Sequence, residues 1–148
     1  MNSAVPLTAP RPPLIRRAAA RAAIAAARLL ACLPPRRIVA VLHLIRHGSA
    51  PATHAQALRA RNDIVATSRR CAGRYCLQRS LATVLLCRMR GTWPRWCTGV
   101  RTPPFAAHAW VEAEGRQVGE PADTVTFQVI LDVSHPRRDP MRDPEVTA

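Results

Sequence analysis

Three residue types that cooperate in nucleophilic catalysis occur in one part of the sequence, each beside a different structural signal. Cys76 follows a turn at Gly73 and opens a helical pattern that runs to Arg90. Unpaired backbone N–H groups and the helix dipole favour a thiolate at such a position. His108 lies on a predicted strand, and Glu120 follows on the return strand of the same hairpin. This order predicts a nucleophile, a base that shares its proton, and an acid that fixes the imidazole tautomer.

The same pattern has a plainer interpretation. A helix packed on a hairpin would show these residues even if the cysteine and the histidine had nothing to do with each other. A histidine between two alanines on a strand is also commonly a satisfied or half-exposed side chain. Both interpretations stay open on the residues alone.

The other four cysteines carry weaker signals. Five cysteines are an odd number, and their irregular spacing without a CxxC pair argues against a disulfide framework and a zinc site. Cys87 fits a small core residue and Cys97 lies within a strand, whereas Cys32 and Cys71 have no chemical signal. We therefore expect a reducing compartment and no bound metal.

Helical elements are predicted before Cys76. Residues 1–13 contain four prolines and predict a disordered arm, and residues 14–70 predict an N-terminal helical region. Within that region the patterns indicate helices from Leu14 to Leu33, from Arg36 to His47 and from Thr53 to Arg70, with a turn at residues 48–51.

A catalytic core is predicted over residues 71–134. Its helix has an apolar face made of Leu77, Leu81, Val84, Leu85 and Met89. Strands are predicted at residues 93–101 and 105–113, with a return strand that starts at residues 116–119. Residues 135–148 are polar and rich in proline, which predicts a disordered tail. The predicted fold class is α+β, with the helix of Cys76 packed on an antiparallel sheet.

The net charge of +13 comes entirely from arginine, since the chain has 22 basic residues and no lysine. With so many alanines and 14 prolines, this composition is typical of a GC-rich genome and is weak evidence for a nucleic-acid partner. An acidic peptide suits the basic surface better. We therefore expect no nucleic-acid partner. The chain also lacks a glycine-rich phosphate loop, so we expect no nucleotide site and no cofactor.

The N-terminal region imitates an export signal. Arg16 and Arg17 precede an alanine-rich run that ends in LLAC at residues 29–32. Arg21 and Arg28 interrupt the apolar core that such a signal needs, and no apolar run approaches the length of a membrane span. The expectation is a cytoplasmic protein without a membrane partner.

The run CLQRSLATVLLCRMRGTWPRWCTGVR, followed by PPFAAHAWVEAEGRQVGEP, resembles the transglutaminase-like superfamily of cysteine peptidases. It is most similar to the leader peptidases of lasso-peptide biosynthesis. The resemblance implies a transglutaminase/papain-like core with Cys76 as nucleophile and His108 as general base. The acid is commonly aspartate in the superfamily. Glu120 stands at the matching position, before a proline, and Asp123 is the alternative acid.

The resemblance also implies a function and partners. The expected reaction is removal of the leader from a ribosomally made lasso-peptide precursor, with the Cys76 backbone N–H as one oxyanion donor. The expected partners are the leader peptide, a separate leader-recognition protein and a lasso cyclase that closes the macrolactam. Two other classes stay open, namely acyl transfer to an amine and a non-catalytic Arg-rich binding module.

Several neighbours of these residues have a structural interpretation beside a functional one. Arg79 and Ser80 fit either residues that orient the start of the helix or an exposed helical arginine and a small serine without a function. Trp93 and Trp96 are expected to pack in the core. Trp110 shares a strand face with His108 and fits either a wall of the site or a core residue.

Overall fold

The first helix, α1 (Leu14–Ala31), packs into the protein through a face of small residues. In the computed structural model, which describes residues 12–136, the buried residues of this face are Ala20, Ala23, Ile24 and Ala27. Small side chains at helical spacing allow a neighbouring helix to approach closely. The arm predicted over residues 1–13 and the tail predicted over residues 135–148 lie mostly outside the described residues.

Three shorter helices follow. The second, α2 (Pro35–Ile45), begins at a proline, because proline is accepted at the first position of a helix. The third, α3 (His54–Thr67), begins with a reciprocal capping box between Thr53 and Gln56. The prediction that it continues to Arg70 is wrong, because Ser68 has an extended backbone that ends α3 and caps a separate helix, α4 (Arg69–Ala72).

The sheet is formed after the fifth helix, α5 (Cys76–Met89). A two-residue strand, β1 (Ala50–Pro51), pairs in parallel with β2 (Thr92–Trp93), so the turn predicted at residues 48–51 is partly a strand. Pro94 separates β2 from β3, because proline has no N–H to donate to a sheet. The remaining strands are β3 (Arg95–Arg101), β4 (Ala106–Ala113), β5 (Arg116–Gln117) and β6 (Gln128–Val133), with a 3-10 helix (Ala122–Thr126) before β6.

Helix α5 occupies the centre of the core. Helices α1 and α3 pack on it, and β4 packs on it from the sheet. Leu81 and Val84 are fully buried, but Met89 is 56% exposed, contrary to the apolar face predicted for it. The reason is that Met89 is the last residue of the helix and borders an open groove beside α1. The Trp96 indole N–H donates to Ser80 Oγ at 3.1 Å and joins α5 to β3.

The predicted α+β fold is confirmed. Four antiparallel strands form a sheet in the order β5–β4–β3–β6, and α5 lies against it. The N-terminus of α5 lies next to β4, where Cys76 hydrogen-bonds to His108 and to the Ala109 backbone. None of the helices between residues 12 and 136 combines the length and the apolar character that a membrane span needs.

Candidate active site

Cys76 is the first residue of α5 and is half-buried. No side chain caps this helix, and Tyr75 precedes it in a non-helical conformation with φ −86° and ψ 61°. Helix N-termini leave backbone N–H groups unpaired and carry a partial positive charge. The backbone of α5 therefore favours a negative charge on the Cys76 sulfur.

His108 lies on β4, directly opposite Gly99 of β3. Its side chain is 17% exposed and hydrogen-bonds to the Cys76 sulfur, which also accepts a hydrogen bond from the Ala109 backbone N–H. The imidazole stacks on Trp110, with ring centroids 5.9 Å apart. These contacts fix the plane of the imidazole ring and direct one of its nitrogens to the thiol.

Glu120 meets the other side of the imidazole. Its Oε2 lies 2.8 Å from His108 Nε2, and its side chain is only 3% exposed. This contact leaves Nδ1 as the ring nitrogen that faces Cys76. Asp123, the alternative acid, lies on the 3-10 helix with a side chain that is 63% exposed, and it pairs with Arg101 at 3.3 Å. The structure therefore brings Glu120, and not Asp123, to His108.

The contacts shift both titrating groups in the directions that an ion pair requires. The hydrogen bond from His108 lowers the pKa of the Cys76 thiol, although burial opposes this shift. Hydrogen bonds to Cys76 and Glu120 raise the pKa of His108 to about 9. Both shifts favour a thiolate beside an imidazolium, which is the pair of charges that a cysteine nucleophile needs.

The other cysteines differ from Cys76. No disulfide joins any of the cysteines within residues 12–136, where Cys71, Cys87 and Cys97 are buried and Cys32 is exposed. Burial raises the pKa of Cys87, near the other end of α5, to about 11. Cys76 differs from Cys87, since Cys76 is half-buried with a lowered pKa and Cys87 is buried with a raised one.

The Cys76 backbone N–H is not free to act as an oxyanion donor. It donates to the Arg74 carbonyl at 3.0 Å, and the Tyr75 dihedral angles fit the tight three-residue turn that this bond closes. The expectation that this N–H holds the oxyanion stays a prediction, and it requires the bond to Arg74 to be given up first. The turn must open before the group is available.

Two arginines lie next to Glu120 that are not among the site residues predicted from the sequence. Arg79 Nη2 lies 3.7 Å from Glu120 Oε1 and Arg61 Nε lies 3.8 Å from the same oxygen. The Arg79 side chain is 11% exposed, so its interpretation as an exposed helical residue is wrong. Arg79 lies three residues after Cys76, which places it on the same side of the helix. Arg61 has no local signal, since α3 is far from Glu120 in sequence.

Trp110 is a core residue that also contacts the site. It is 1% exposed, and its indole N–H donates to Glu112 at 2.9 Å. A Cβ on Gly99 would lie 2.9 Å from the Trp110 ring and would clash with the Gln128 backbone. The small residue opposite His108 thus lets Trp110 and β6 pack closely against this part of the sheet.

Residues 12–136 contain no cluster of three or more His, Cys, Asp or Glu side chains that could hold a metal ion. The groups gathered at the end of α5 are suited to another type of chemistry. A partly exposed thiolate can attack an acyl carbon, and the adjacent imidazolium can protonate the group that leaves.

Comparison with known proteins gives one match. The family model described as the transglutaminase-like superfamily matches residues 20–132, which is most of the chain. No curated protein and no solved structure matches this chain. The matched region includes the N-terminal helices as well as the residues gathered around Cys76.

Proposed function

The chain belongs to the transglutaminase-like superfamily, and we propose that within it this protein is a cysteine peptidase that removes the leader from a ribosomally made lasso-peptide precursor. Members of the superfamily are generally cysteine peptidases or acyltransferases. The observation that carries the proposal is the line of contacts from Cys76 through His108 to Glu120. The similarity of the CLQRS, HAWVE and VGEP motifs to lasso leader peptidases supports the substrate.

The first half of the proposed reaction forms a thioester. The Cys76 thiolate attacks the carbonyl carbon at the leader–core junction and pushes the electron pair onto the oxygen. When this oxyanion collapses, the C–N bond breaks and His108 gives its proton to the departing amine of the core peptide. Glu120 holds the imidazole in the orientation that this transfer requires. The leader remains attached to the Cys76 sulfur.

The second half regenerates the enzyme. Neutral His108 removes a proton from water, and the resulting hydroxide attacks the thioester carbonyl. The C–S bond breaks, so the leader leaves as a carboxylic acid that loses its proton to solvent, and Cys76 returns as a thiolate beside a protonated His108. No step requires a metal or a cofactor. The arrangement therefore accounts for a complete hydrolytic cycle with three side chains and one water molecule.

The proposed partners follow from the pathway that the resemblance implies. A separate recognition protein binds the leader and brings the junction to Cys76, and a lasso cyclase then closes the freed core. Bringing the substrate to the enzyme in this way raises its effective concentration, with gains of roughly 10²–10⁴-fold. The net charge of +13 on this chain favours acidic leader or partner surfaces.

The test uses the reading frames that neighbour the gene for this chain. We expect them to encode a short precursor, a small recognition protein and a cyclase. The purified protein is incubated with that precursor, with and without the recognition protein, and the fragments are identified by mass spectrometry. Cleavage at one junction that is lost in Cys76→Ala and retained in Cys32→Ala supports the proposal, because Cys32 is exposed and not part of the site.

Three results would overturn the proposal. Cleavage that survives Cys76→Ala would show that the peptidase activity does not belong to this site. If a small alkylamine added to the mixture becomes attached to the leader in preference to water, the protein is an acyltransferase of the same superfamily. An uncleaved precursor in the presence of all three proteins would favour a binding module.

A further inference from the structure

We propose that Arg61 and Arg79 are positioning residues, which hold Glu120 in the orientation that serves His108 and supply the positive charge that favours the Cys76 thiolate. The inference rests on the proposed function, because it concerns the same site. It also makes helix α3, which lies far from Glu120 in sequence, a part of the working site.

The positions of the two arginines favour one orientation of the Glu120 carboxylate. Both arginines approach Glu120 Oε1, at 3.7 and 3.8 Å, whereas Oε2 is bonded to His108 at 2.8 Å. The longer contacts are ion pairs without hydrogen bonds, so they attract the carboxylate by charge. Because both cations act on one oxygen, they favour the side-chain rotamer that turns the other oxygen to His108.

The charges around Glu120 and Cys76 sum to a net positive charge. Glu120 carries one negative charge and faces two guanidinium groups, while the Cys76 thiolate and the His108 imidazolium cancel each other. One positive charge is left over among groups that are largely buried and therefore weakly screened by salt. Nearby, Arg101 and Asp123 are both charged and offset each other. The charge of Arg79 contributes to lowering the pKa of Cys76.

The two arginines differ in their own hydrogen bonds. Arg79 Nη1 donates to the carbonyls of Cys71 and Gly73, at 3.3 and 3.1 Å, and so also supports the loop before Cys76. Arg61 Nε is buried and has no hydrogen-bond partner among the described residues. An unsatisfied buried donor is costly, so its position beside Glu120 calls for an explanation.

Gly119 makes room for Arg61 immediately before Glu120. Its φ is +63°, and a Cβ at this position would lie 2.8 Å from Arg61 Cδ. The lack of a side chain thus allows the Arg61 guanidinium to lie against the backbone that carries the acid. Burial lowers the pKa of Arg61, and the charge of Glu120 opposes that shift.

The experiment compares Arg61→Gln, Arg61→Lys and Arg79→Gln with the control Arg59→Gln, which removes an exposed arginine from the same helix. One measurement is the rate of Cys76 alkylation by iodoacetamide as a function of pH, read by mass spectrometry. The other is kcat and KM for precursor cleavage. Thermal melting and the labelling of Cys71 and Cys87 report whether each variant stays folded, since both thiols are buried.

We expect Arg61→Gln to lower kcat about 10²-fold with little change in KM, because a small displacement of a catalytic group has an effect of this size. Arg61→Lys should recover part of the loss. Arg79→Gln should move the acid limb of Cys76 alkylation to higher pH, because it removes a positive charge that lowers the Cys76 pKa. Arg59→Gln should match the wild type.

Wild-type kcat and an unchanged alkylation profile in both glutamine variants would overturn the inference. Labelling of the buried cysteines in Arg61→Gln and Arg61→Lys would also overturn it, since the arginine would then be needed for folding. A failure of the proposed function looks different. In that case the wild-type protein does not cleave the precursor, while the alkylation profile still shifts in Arg79→Gln.

Discussion

Two buried carboxylates in this protein each face two arginines, but the arginines bind them in different ways. Asp63 on α3 is bonded by Arg16 Nη2 at 2.9 Å and by Arg90 Nη2 at 2.6 Å. Its side chain is 8% exposed, and the three residues join α1, α3 and the end of α5. Within residues 12–136, every hydrogen bond to this carboxylate comes from an arginine.

At Glu120 the arginines are about 1 Å farther away, and the short bond goes to His108. A guanidinium at hydrogen-bond distance satisfies a carboxylate and fixes the packing of the elements that carry the groups. A guanidinium at a longer distance leaves the carboxylate available to an imidazole. The comparison indicates that Asp63 stabilises the helices, and it supports the proposed role of Glu120 beside His108.

The largest expected effect comes from Glu120→Gln, which keeps the shape of the side chain but removes its charge. We expect kcat for precursor cleavage to fall by roughly 10²–10⁴-fold, the usual contribution of an oriented acid–base group. Asp123→Asn is the control, and it should have little effect because Asp123 is exposed. The opposite ranking of the two variants would assign the acid to Asp123.

Asp63→Asn should give the reverse result. A hydrogen bond to a charged group contributes about 1.5–3 kcal/mol, and we expect the free energy of unfolding to fall by about the contribution of one such bond. The pH dependence of Cys76 alkylation should not change, because Asp63 does not contact the site. Urea denaturation measures the first quantity. A stable Asp63→Asn variant with altered Cys76 reactivity would show that the comparison between the two carboxylates is wrong.

The pH profile of kcat/KM should show a smaller difference between the two carboxylates. Activity requires thiolate and imidazolium together, so it should rise through the lowered pKa of Cys76 and fall through the pKa of His108 at about 9. Glu120 raises the His108 pKa, so Glu120→Gln should move the alkaline limb to lower pH. Asp63→Asn should leave both limbs in place. An alkaline limb that ignores Glu120 would contradict the observed contact.

The sequence predicts the parts of the fold that depend on local signals. The starts of α2, α3 and α5 lie within one residue of the predicted starts at Arg36, Thr53 and Cys76. No local pattern in the sequence predicts strand β6 (Gln128–Val133). Its pairing with β3 is irregular between Thr98 and Gly99, and the consecutive residues Val129 and Ile130 are both exposed, so the strand lacks regular alternation.

The candidate site divides in the same way. Cys76 and His108 each stand beside a helix or strand signal. The prediction that Glu120 lies on the return strand is wrong, because β5 ends at Gln117 and the chain bends before it reaches Glu120. The contact between Arg61 and Glu120 joins residues far apart in the chain and depends on how α3 packs. The engagement of the Cys76 N–H depends on the backbone angles of Tyr75. Neither feature has a signature in the residue types alone.

The most direct test of the account is to isolate the covalent intermediate. The protein is mixed with the precursor and the recognition protein, quenched in acid after one turnover or less, digested, and examined by mass spectrometry. The account predicts the leader fragment attached as a thioester to the peptide that contains Cys76, and its absence in Cys76→Ala. Cleavage without such an adduct, or with the adduct on another cysteine, would contradict it.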